Sequence, residues 1–325
     1  MQAPSPPSPS PEVVVVGSVN LDTTVVVERL PAPGETLLAT GLHTAMGGKG
    51  ANQAVTCARQ GVTTAFVGAV GDDATGRALL DTLAEEGVDL RFTRVVPPGM
   101  AQTGQALITV DGAGANTVIV AAGANAALTR GDVEVARAWI SQARIVLVQL
   151  EIGSAAVRAA LMLGRTGGAR NILNPAPARP LDDGLLALCD FLIPNEHEAA
   201  LLTGVDVPEE AALALADRAR DAVVLVTCGA DGVVVCGPDR AVHRRRAIPA
   251  TAIDSVAAGD AFCGALAAGL AQGRPLADAL YRALAAGAHA VTIPGAVPSL
   301  PRAADVDRIL GRDLPESPAI GPPAT

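Results

Sequence analysis

The stretch VVVVGSVNLDTTVVVERL, residues 13–30, contains two different kinds of predicted strand. It begins with four consecutive valines, and a short β-branched run of this kind is typical of a strand buried on both faces of a parallel sheet. From residue 22 onward, polar and apolar side chains are mixed, which is typical of a strand with one exposed face. The stretch therefore predicts a buried strand that leads directly into a second, smaller sheet.

Short apolar runs recur along the chain and alternate with alanine-rich helical patterns. They are TAFVGAVG (64–71), RIVLVQLE (144–151), NILNPAP (171–177), DFLIPNE (190–196) and VVLVTCG (223–229). Continuous apolar strands separated by helices predict an α/β fold, with a doubly wound, mostly parallel sheet flanked by helices. Segments 20–45 and 102–121 break this rhythm and predict a small antiparallel β lid.

The composition limits the domain count and the surroundings of the protein. We expect one α/β domain over residues 12–312, between a Pro/Ser-rich head (1–11) and a tail (313–325) that are both predicted to be disordered. A net charge of −9 disfavours nucleic acid as a partner. Five cysteines without metal-like spacing, no signal peptide and no run of eighteen apolar residues predict a cytoplasmic protein without a membrane partner.

Polar residues follow almost every predicted strand of the parallel sheet. In open parallel sheets, the ligand site lies beyond the carboxyl ends of the strands. We therefore expect a binding site where these residues meet. They are Asn20, Asp22, Glu151, Asn174, Asn195, Glu198 and the segment 227–229.

The segment GGKGAN, residues 47–52, holds the only lysine among 24 basic residues. A Walker A loop is excluded, because His43 and Gly50 stand where that motif needs glycine and a hydroxyl. Taken alone, the glycines favour a tight turn over a binding site. Lysine is a slim stem with a point charge whereas arginine is a planar fork, so the sole Lys49 favours a confined binding site.

The segment DSVAAGDAFCGALAAGL, residues 254–270, predicts a phosphate cradle at the start of a helix. The small residues Ala257, Ala258 and Gly259 allow a ligand to approach the backbone amides, and the helix dipole favours an anion there. Asp260 in the first turn could simply stabilise the helix, by about 0.3–1 kcal/mol. A carboxylate beside such amides is also what phosphoryl transfer to an alcohol requires.

The segment PNEHEAALLTG, residues 194–204, leaves two interpretations open. Asn195 and Glu198 are three residues apart and could hold metal-bound waters from one face of a helix. The same spacing equally describes an N-cap asparagine followed by a first-turn glutamate.

Taken together, these motifs resemble the ribokinase family of ATP-dependent sugar and nucleoside kinases. The similarity runs from about Val13 to Val306 in the family's order and spacing. The segments that carry it are GSVNLD (17–22), PAPGET (31–36), GGKGANQAV (47–55), GDDATG (71–76), LNPAPA (173–178), IPNEHEA (193–199), DSVAAGDAFCGAL (254–266) and GAVPSLP (295–301).

The resemblance implies phosphorylation of D-ribose at the 5-hydroxyl by ATP, with Asp260 as general base and Ala257, Ala258 and Gly259 as the anion hole. Sugar-binding residues would be Asn20, Asp22, Gly48, Lys49, Asn52, Glu151 and Asp260. ATP would lie along Asn195, Thr227, Gly229, Gly232 and Gly259, with Mg²⁺ near Asn195 and Glu198.

The resemblance also implies activation by a monovalent cation such as K⁺, and a homodimer formed through the β lid. Cation ligands would be Asp254, Val256, Ala290, Ile293, Gly295 and Ser299. The chain departs from some members in three places: Leu284 replaces a histidine near the adenine, Ile293 replaces a longer polar residue, and Cys263 replaces an asparagine after the base.

Two alternatives remain open at this stage. A kinase of the same family could act on another furanose or a nucleoside, such as pseudouridine, adenosine or a fructose-type sugar. A nucleoside kinase needs an apolar slot for the base, and only six residues of this chain are aromatic. The other alternative is a sugar sensor that binds ribose without turnover.

Overall fold

The computed structural model describes residues 10–112 and 115–311. The predicted disordered tail and residues 1–9 of the predicted head lie outside these ranges. Pro11, at the end of that head, is described and is buried against the domain. Within the described ranges, no helix combines the length and the apolar character needed to cross a bilayer.

The described strands form three sheets. They are β1 (Val13–Val16), β2 (Asn20–Val26), β3 (Gly41–Gly47), β4 (Thr64–Val67), β5 (Ala69–Gly71), β6 (Arg94–Val96), β7 (Gly104–Val110), β8 (Asn116–Ala121), β9 (Ile145–Val148), β10 (Arg170–Leu173), β11 (Phe191–Leu192), β12 (Val223–Thr227), β13 (Val233–Cys236) and β14 (Val242–Arg245).

The main sheet has eight strands in the order β14-β13-β12-β11-β10-β9-β1-β4. The six strands from β12 to β4 are parallel, which confirms the predicted sheet. The antiparallel edge strands β13 and β14 were not predicted from the sequence. β13 follows β12 through a tight turn. In the sequence no helical pattern lies between β12, β13 and β14, so nothing marks β13 and β14 as further strands of the main sheet.

Twelve α-helices accompany the strands in the described ranges. They are α1 (Lys49–Arg59), α2 (Ala74–Glu85), α3 (Arg130–Val135), α4 (Arg137–Gln142), α5 (Ser154–Gly167), α6 (Asp183–Leu186), α7 (Glu196–Thr203), α8 (Pro208–Ala219), α9 (Ala258–Ala271), α10 (Leu276–Ala290), α11 (Ala296–Ser299) and α12 (Ala303–Leu310).

The helices cover both faces of the main sheet because successive side chains of a strand point to opposite sides. Val13 and Val15 belong to one apolar core, with α1, α9 and α10. Val14 and Val16 belong to the other, with α5 and α8. All four valines are fully buried, as expected for a parallel strand between two helical layers.

The lid is a separate sheet with the strand order β3-β2-β7-β8. The pairs β2–β3 and β7–β8 are antiparallel, as predicted, but the central pair β2–β7 is parallel, so the lid is mixed. The sequence could not predict the parallel pairing of β2 with β7, because that pairing requires both strands to start at the rim of the main sheet. Asn20 and Gly104 mark that shared starting level.

Candidate active site

A pocket of about 200 Å³ opens where the carboxyl ends of the strands meet the start of α9. It is the place that the strand-end rule predicts. Its lining combines residues from four separate motifs of the sequence, and includes Lys49, Asn174, Asn195, Glu198, Thr227, Ala257, Gly259, Asp260 and Cys263.

Asp260 lies in the first turn of α9 and is only 7% exposed. Its Oδ2 accepts a hydrogen bond of 2.9 Å from Asn52 Nδ2, and its Oδ1 accepts one of 2.9 Å from Gln53 Nε2. Burial raises the pKa of Asp260 above its ordinary value, while the charge of Lys49 and the two amide donors oppose that rise. The carboxylate is thus more basic than an exposed aspartate and is held from both sides.

The backbone at the start of α9 offers unpaired amides to the pocket. Ala257, the N-cap, has a φ of 60°, in the left-handed region. In the described chain no acceptor meets the N–H groups of Ala257, Gly259 or Asp260, whereas that of Ala258 makes a 3.3 Å bond to the Ser255 carbonyl. A Cβ on Gly259 would meet no atom within 4 Å. These amides are therefore accessible to an anion.

Lys49 is the first residue of α1, and its side chain lines the pocket. The preceding Gly48 has a φ of 88°, and a Cβ there would lie 2.7 Å from the Val19 Cα. The glycine is thus required by a tight turn against the backbone, which confirms the turn interpretation, and the same turn brings Lys49 to the pocket. Burial alone would lower the pKa of Lys49, but the charges of Asp260 and Glu151 outweigh it and raise that pKa.

Asn20 and Asp22 lie on β2, where the lid leaves the main sheet. Asn20 Oδ1 accepts a 2.7 Å hydrogen bond from Asn125 Nδ2. Among the described residues, neither Asp22 Oδ1 nor Asn52 Oδ1 has a hydrogen-bond partner, although both atoms are buried. Burial, followed by the charges of Glu151 and Asp260, raises the pKa of Asp22 to about 7. Buried acceptors of this kind are suited to ligand hydroxyls.

Glu151, at the end of β9, helps to hold the turn before α1. Its Oε2 accepts a 2.5 Å hydrogen bond from Ser18 Oγ and one of 3.1 Å from the Lys49 backbone N–H. One carboxylate oxygen of Glu151 is therefore engaged by the protein, and only the other is free to meet a sugar hydroxyl.

Asn195 and Glu198 form a capping box at the start of α7. Asn195 Oδ1 accepts a 2.7 Å bond from the Glu198 N–H, and Glu198 Oε2 accepts one of 2.9 Å from the Asn195 N–H. The N-cap interpretation is therefore correct for these atoms. Glu198 also lines the pocket, and burial raises its pKa. Its Oε1 remains for a bound water.

The fit to Mg²⁺ depends on this one oxygen. In residues 10–112 and 115–311, no cluster of three or more His, Cys, Asp or Glu side chains is arranged to hold a metal ion. A magnesium ion here would be coordinated mainly by nucleotide phosphates and water, as Mg²⁺ commonly is. Glu198 could then contact it only through a coordinated water.

The predicted nucleotide-binding segment after β12 is divided between the pocket and the protein interior. Thr227 lines the pocket. Gly229 lies in the next turn, where a Cβ would meet open space. The Gly232 carbonyl accepts a 2.8 Å bond from the Cys228 N–H, and a Cβ on Gly232 would overlap the Arg245 carbonyl. Gly232 is thus required by the turn itself.

The predicted cation ligands lie on two loops that Asp254 joins. Its Oδ1 accepts a 3.0 Å bond from the Val256 N–H, and its Oδ2 accepts one of 2.8 Å from the Gly295 N–H. Ser299 Oγ donates to the Ala296 carbonyl at 2.7 Å. The Ala290 carbonyl accepts from the Ile293 N–H at 3.3 Å. Each of these four oxygens keeps a lone pair for a monovalent ion, although each already takes part in a hydrogen bond within the protein.

Three residues that support the site from behind its lining were not selected from the sequence. Gln53 reaches Asp260, Gln149 reaches Gln53, and Asn125 holds Asn20. Gln53 could have been found from its place beside Asn52 on α1, whereas Asn125 lies in a region without a recognisable motif. Leu284, expected near the adenine, is 7% exposed and packs in the apolar core. Cys263 lies one turn after Asp260 and lines the pocket.

A basic carboxylate beside free helix-terminal amides, at the rim of a doubly wound sheet, defines a phosphotransferase that uses an alcohol acceptor. A sequence profile of pfkB family carbohydrate kinases matches residues 10–303. The chain belongs to the pfkB family of carbohydrate kinases, which confirms the resemblance drawn from its motifs.

Relatives cover nearly the whole chain. It is 38% identical over 296 residues to the ribokinase of Haemophilus influenzae, covering 89% of this chain and 95% of that protein. It is 32% identical over 299 residues to the deoxyribokinase of Salmonella typhimurium, covering 89% and 95%. The solved structure of Arabidopsis thaliana ribokinase complexed with ribose and ATP is 33% identical, with a TM-score of 0.85 over 94% of this chain and 100% of that one.

Proposed function

We propose that the protein phosphorylates D-ribose at the 5-hydroxyl with ATP, giving ribose 5-phosphate and ADP. The observation that carries this proposal is the buried Asp260 carboxylate beside the free N–H groups of Ala257 and Gly259. The similarity to ribokinases over nine-tenths of the chain supports ribose as the sugar.

In this mechanism Asp260 accepts the proton of the 5-hydroxyl while the oxygen of that hydroxyl forms a bond to the γ-phosphorus of ATP. The bond from that phosphorus to the bridging oxygen breaks, and ADP leaves. The free amides at the start of α9 stabilise the charge that develops on the phosphoryl oxygens. The charges of Asp260 and Glu151 keep Lys49 protonated, so Lys49 can donate hydrogen bonds to the substrates.

The sugar would be held by Asn20, Asp22 and Asn52, with Gly48 and one oxygen of Glu151 completing the set. The unpaired buried Oδ1 atoms of Asp22 and Asn52 favour a ligand rich in hydroxyl groups. Asn195, Thr227 and Gly229 would lie along ATP, and magnesium bound to its phosphates would contact Glu198 through water. When bound, that ion neutralises phosphate charge.

We also propose activation by K⁺ at the loops around Asp254, and a cytoplasmic homodimer formed through the lid. All five cysteines are free and buried, in keeping with a reducing compartment. On the lid face opposite Asp22, the apolar side chains of Leu42, Leu107 and Ile119 are 64%, 47% and 66% exposed. A second copy of the chain would bury this face.

The decisive experiment measures ADP release with ATP and a panel of D-ribose, 2-deoxy-D-ribose, D-fructose, adenosine and pseudouridine. We expect D-ribose to give the highest kcat/KM. A higher value for 2-deoxyribose would assign the chain to the activity of its deoxyribokinase relative. Binding of ribose without ADP release would instead support the sensor alternative.

A further inference from the structure

Buried amide side chains form a series of hydrogen bonds that ends at one oxygen of Asp260, the one that Asn52 does not contact. Gln53 on α1 and Gln149 after β9 are both fully buried. Gln53 Nε2 donates to Asp260 Oδ1 at 2.9 Å and to Asn174 Oδ1 at 3.1 Å. Gln53 Oε1 accepts a 2.5 Å bond from Gln149 Nε2. Every hydrogen-bonding group of the Gln53 amide is therefore engaged.

This arrangement permits only one orientation of the Gln53 amide. Asn174 Nδ2 donates to the Ile193 carbonyl at 2.7 Å, which turns the Asn174 oxygen toward Gln53. A flipped Gln53 would place its oxygen against the oxygens of Asn174 and Asp260, and its NH₂ group against that of Gln149. The Asn174 oxygen and the Asp260 carboxylate therefore orient the Gln53 amide so that one of its N–H groups points at the base.

The network is maintained at a cost to the fold. Among the described residues, Gln149 Oε1 is buried and has no hydrogen-bond partner. A Cβ on Gly17 would lie 2.0 Å from that oxygen and 2.8 Å from the Gly50 Cα, so glycine at residue 17 leaves room for both. An apolar side chain at 149 would remove this unpaired oxygen but would leave the buried Gln53 oxygen without its donor, which is also unfavourable. Gln149 is therefore part of the network that holds Gln53.

We propose that Gln53 is a positioning residue for Asp260. It holds Oδ1 toward the interior, so that Oδ2, on the Asn52 side, is the oxygen that meets the substrate hydroxyl. This inference rests on the proposed function, in which Asp260 is the general base. Asp22, Lys49, Glu151 and Glu198 are the charged groups that act on Asp260, and none of them forms a hydrogen bond to its Oδ1.

The role predicts a specific kinetic defect. Gln53 makes no contact with the pocket, so its loss should leave the binding of ribose and ATP almost unchanged. An N–H donor favours the ionised carboxylate, so removing it should raise the pKa of the base. The acid limb of the kcat profile should then move to higher pH, because the base acts only when ionised.

The test compares Gln53→Met, which keeps the length of the side chain, with Gln60→Met as a matched control. Gln60 ends the same helix, is 3% exposed and donates to the Pro301 carbonyl at 2.9 Å. We expect Gln53→Met to lower kcat by about 10²-fold, as misplacement of a reacting group does, while both KM values stay nearly constant. Gln60→Met should keep the parental kcat and pH profile.

A double-mutant cycle with Asp260→Asn separates positioning from general damage. If Gln53 acts through Asp260, adding Gln53→Met to Asp260→Asn should cause no further loss of kcat, whereas an additive loss contradicts the proposal. If Gln53→Met fails to fold, the test uses Gln53→Glu instead. The acid limb of its kcat profile should also move to higher pH. An acid limb at the parental pH would contradict the proposal.

The two hypotheses fail in different ways. A parent enzyme that releases no ADP with D-ribose, or an Asp260→Asn variant with parental turnover, contradicts the proposed function. Parental kcat in Gln53→Met together with a collapsed Asp260→Asn contradicts only the role of Gln53.

Discussion

Single residues of this protein illustrate how one side chain can serve the fold and the chemistry together. Asp260 occupies the position where a helix favours an acidic residue, and it also faces the pocket. Gly48 is required by a turn, and the turn carries Lys49 into the same pocket. A structural explanation of such a residue therefore does not exclude a chemical one, and mutations must separate the two.

Asp260→Asn keeps the size of the side chain and removes the proton acceptor. We expect kcat to fall by about 10²–10⁴-fold while ribose still binds, because positioned general bases contribute about this much. Turnover assays and ribose titrations by calorimetry measure the two effects separately. Near-parental turnover would show that Asp260 serves only the helix.

Lys49→Arg keeps the positive charge but replaces a slim stem by a planar fork. We expect a large increase in the KM for ribose, because the wider group has no room beside Asp260 and Glu151. The control is Arg77→Lys, an exposed salt-bridge residue on α2, which should leave the kinetics unchanged. Parental kinetics in Lys49→Arg would mean that charge alone matters at this position.

Asp22 should make stability depend on pH. Its pKa is raised from 3.8 to about 7, so the folded protein retains a proton that the unfolded chain has already lost above about pH 4. The stability that this group contributes is complete below about pH 4 and is lost as the pH rises toward 7.

Asp22→Asn removes this titration but leaves the size of the side chain unchanged. The measurement is the Tm of Asp22→Asn minus the Tm of the parent, in thermal melts without ligand. We expect this difference to increase by about 4 °C between pH 5 and pH 8. A constant difference across that range would show that Asp22 titrates normally. The same variant should bind ribose more weakly, since it loses an acceptor.

At the scale of elements, the start of α9 combines an anion site with a candidate cation site. Asp254 joins the loop before α9 to the loop before α11 through its bonds to the N–H groups of Val256 and Gly295. Anything that orders Asp254 should also order the amides of Ala257 and Gly259, which lie only a few residues further along the chain.

K⁺ should therefore raise kcat at saturating ATP, and Na⁺ should do so less. The assay titrates KCl against choline chloride at constant ionic strength, which separates a bound ion from screening. Asp254→Ala should abolish the response and leave weak basal turnover, whereas Asp81→Ala, an exposed residue of α2, should preserve it. Equal rates of the parent in both salts would mean that no activating cation binds.

At the scale of the whole molecule, no helix within residues 10–112 and 115–311 covers the outer face of the lid, where Leu42, Leu107 and Ile119 are exposed. Every residue of β8 is exposed, including adjacent apolar residues that point to opposite faces. Val118 lies on the same face as Asp22, whereas Ile119 lies on the outer face. An exposed apolar sheet of this kind favours association with another copy of the chain.

Ile119→Asp should convert the proposed homodimer to a monomer, measured by sedimentation velocity over a range of protein concentrations. Val118→Asp is the matched control, because it places the same charge one residue away on the other face, and it should remain dimeric. A monomeric parent protein, or an Ile119→Asp variant with the mass of the parent, would contradict dimerisation through the outer lid face.

The sequence by itself determined the parallel strands of the main sheet, the edge of that sheet where the site lies, and the family. Continuous valine-rich runs can be stable only between two apolar layers, so β1, β4, β9, β10, β11 and β12 followed from local pattern alone. The residues after those strands must then meet at one edge, which is why Asn174, Asn195, Glu198 and Thr227 could be expected around a single pocket.

Only the tertiary structure decided how these groups are held. The parallel pairing of β2 with β7 and the edge strands β13 and β14 depend on where distant segments leave the main sheet, which no local pattern encodes. The bond from Gln53 to Asp260 joins residues 207 positions apart. A glutamine in an alanine-rich helix has no signature of its own, because its role is created by the carboxylate that folding brings against it.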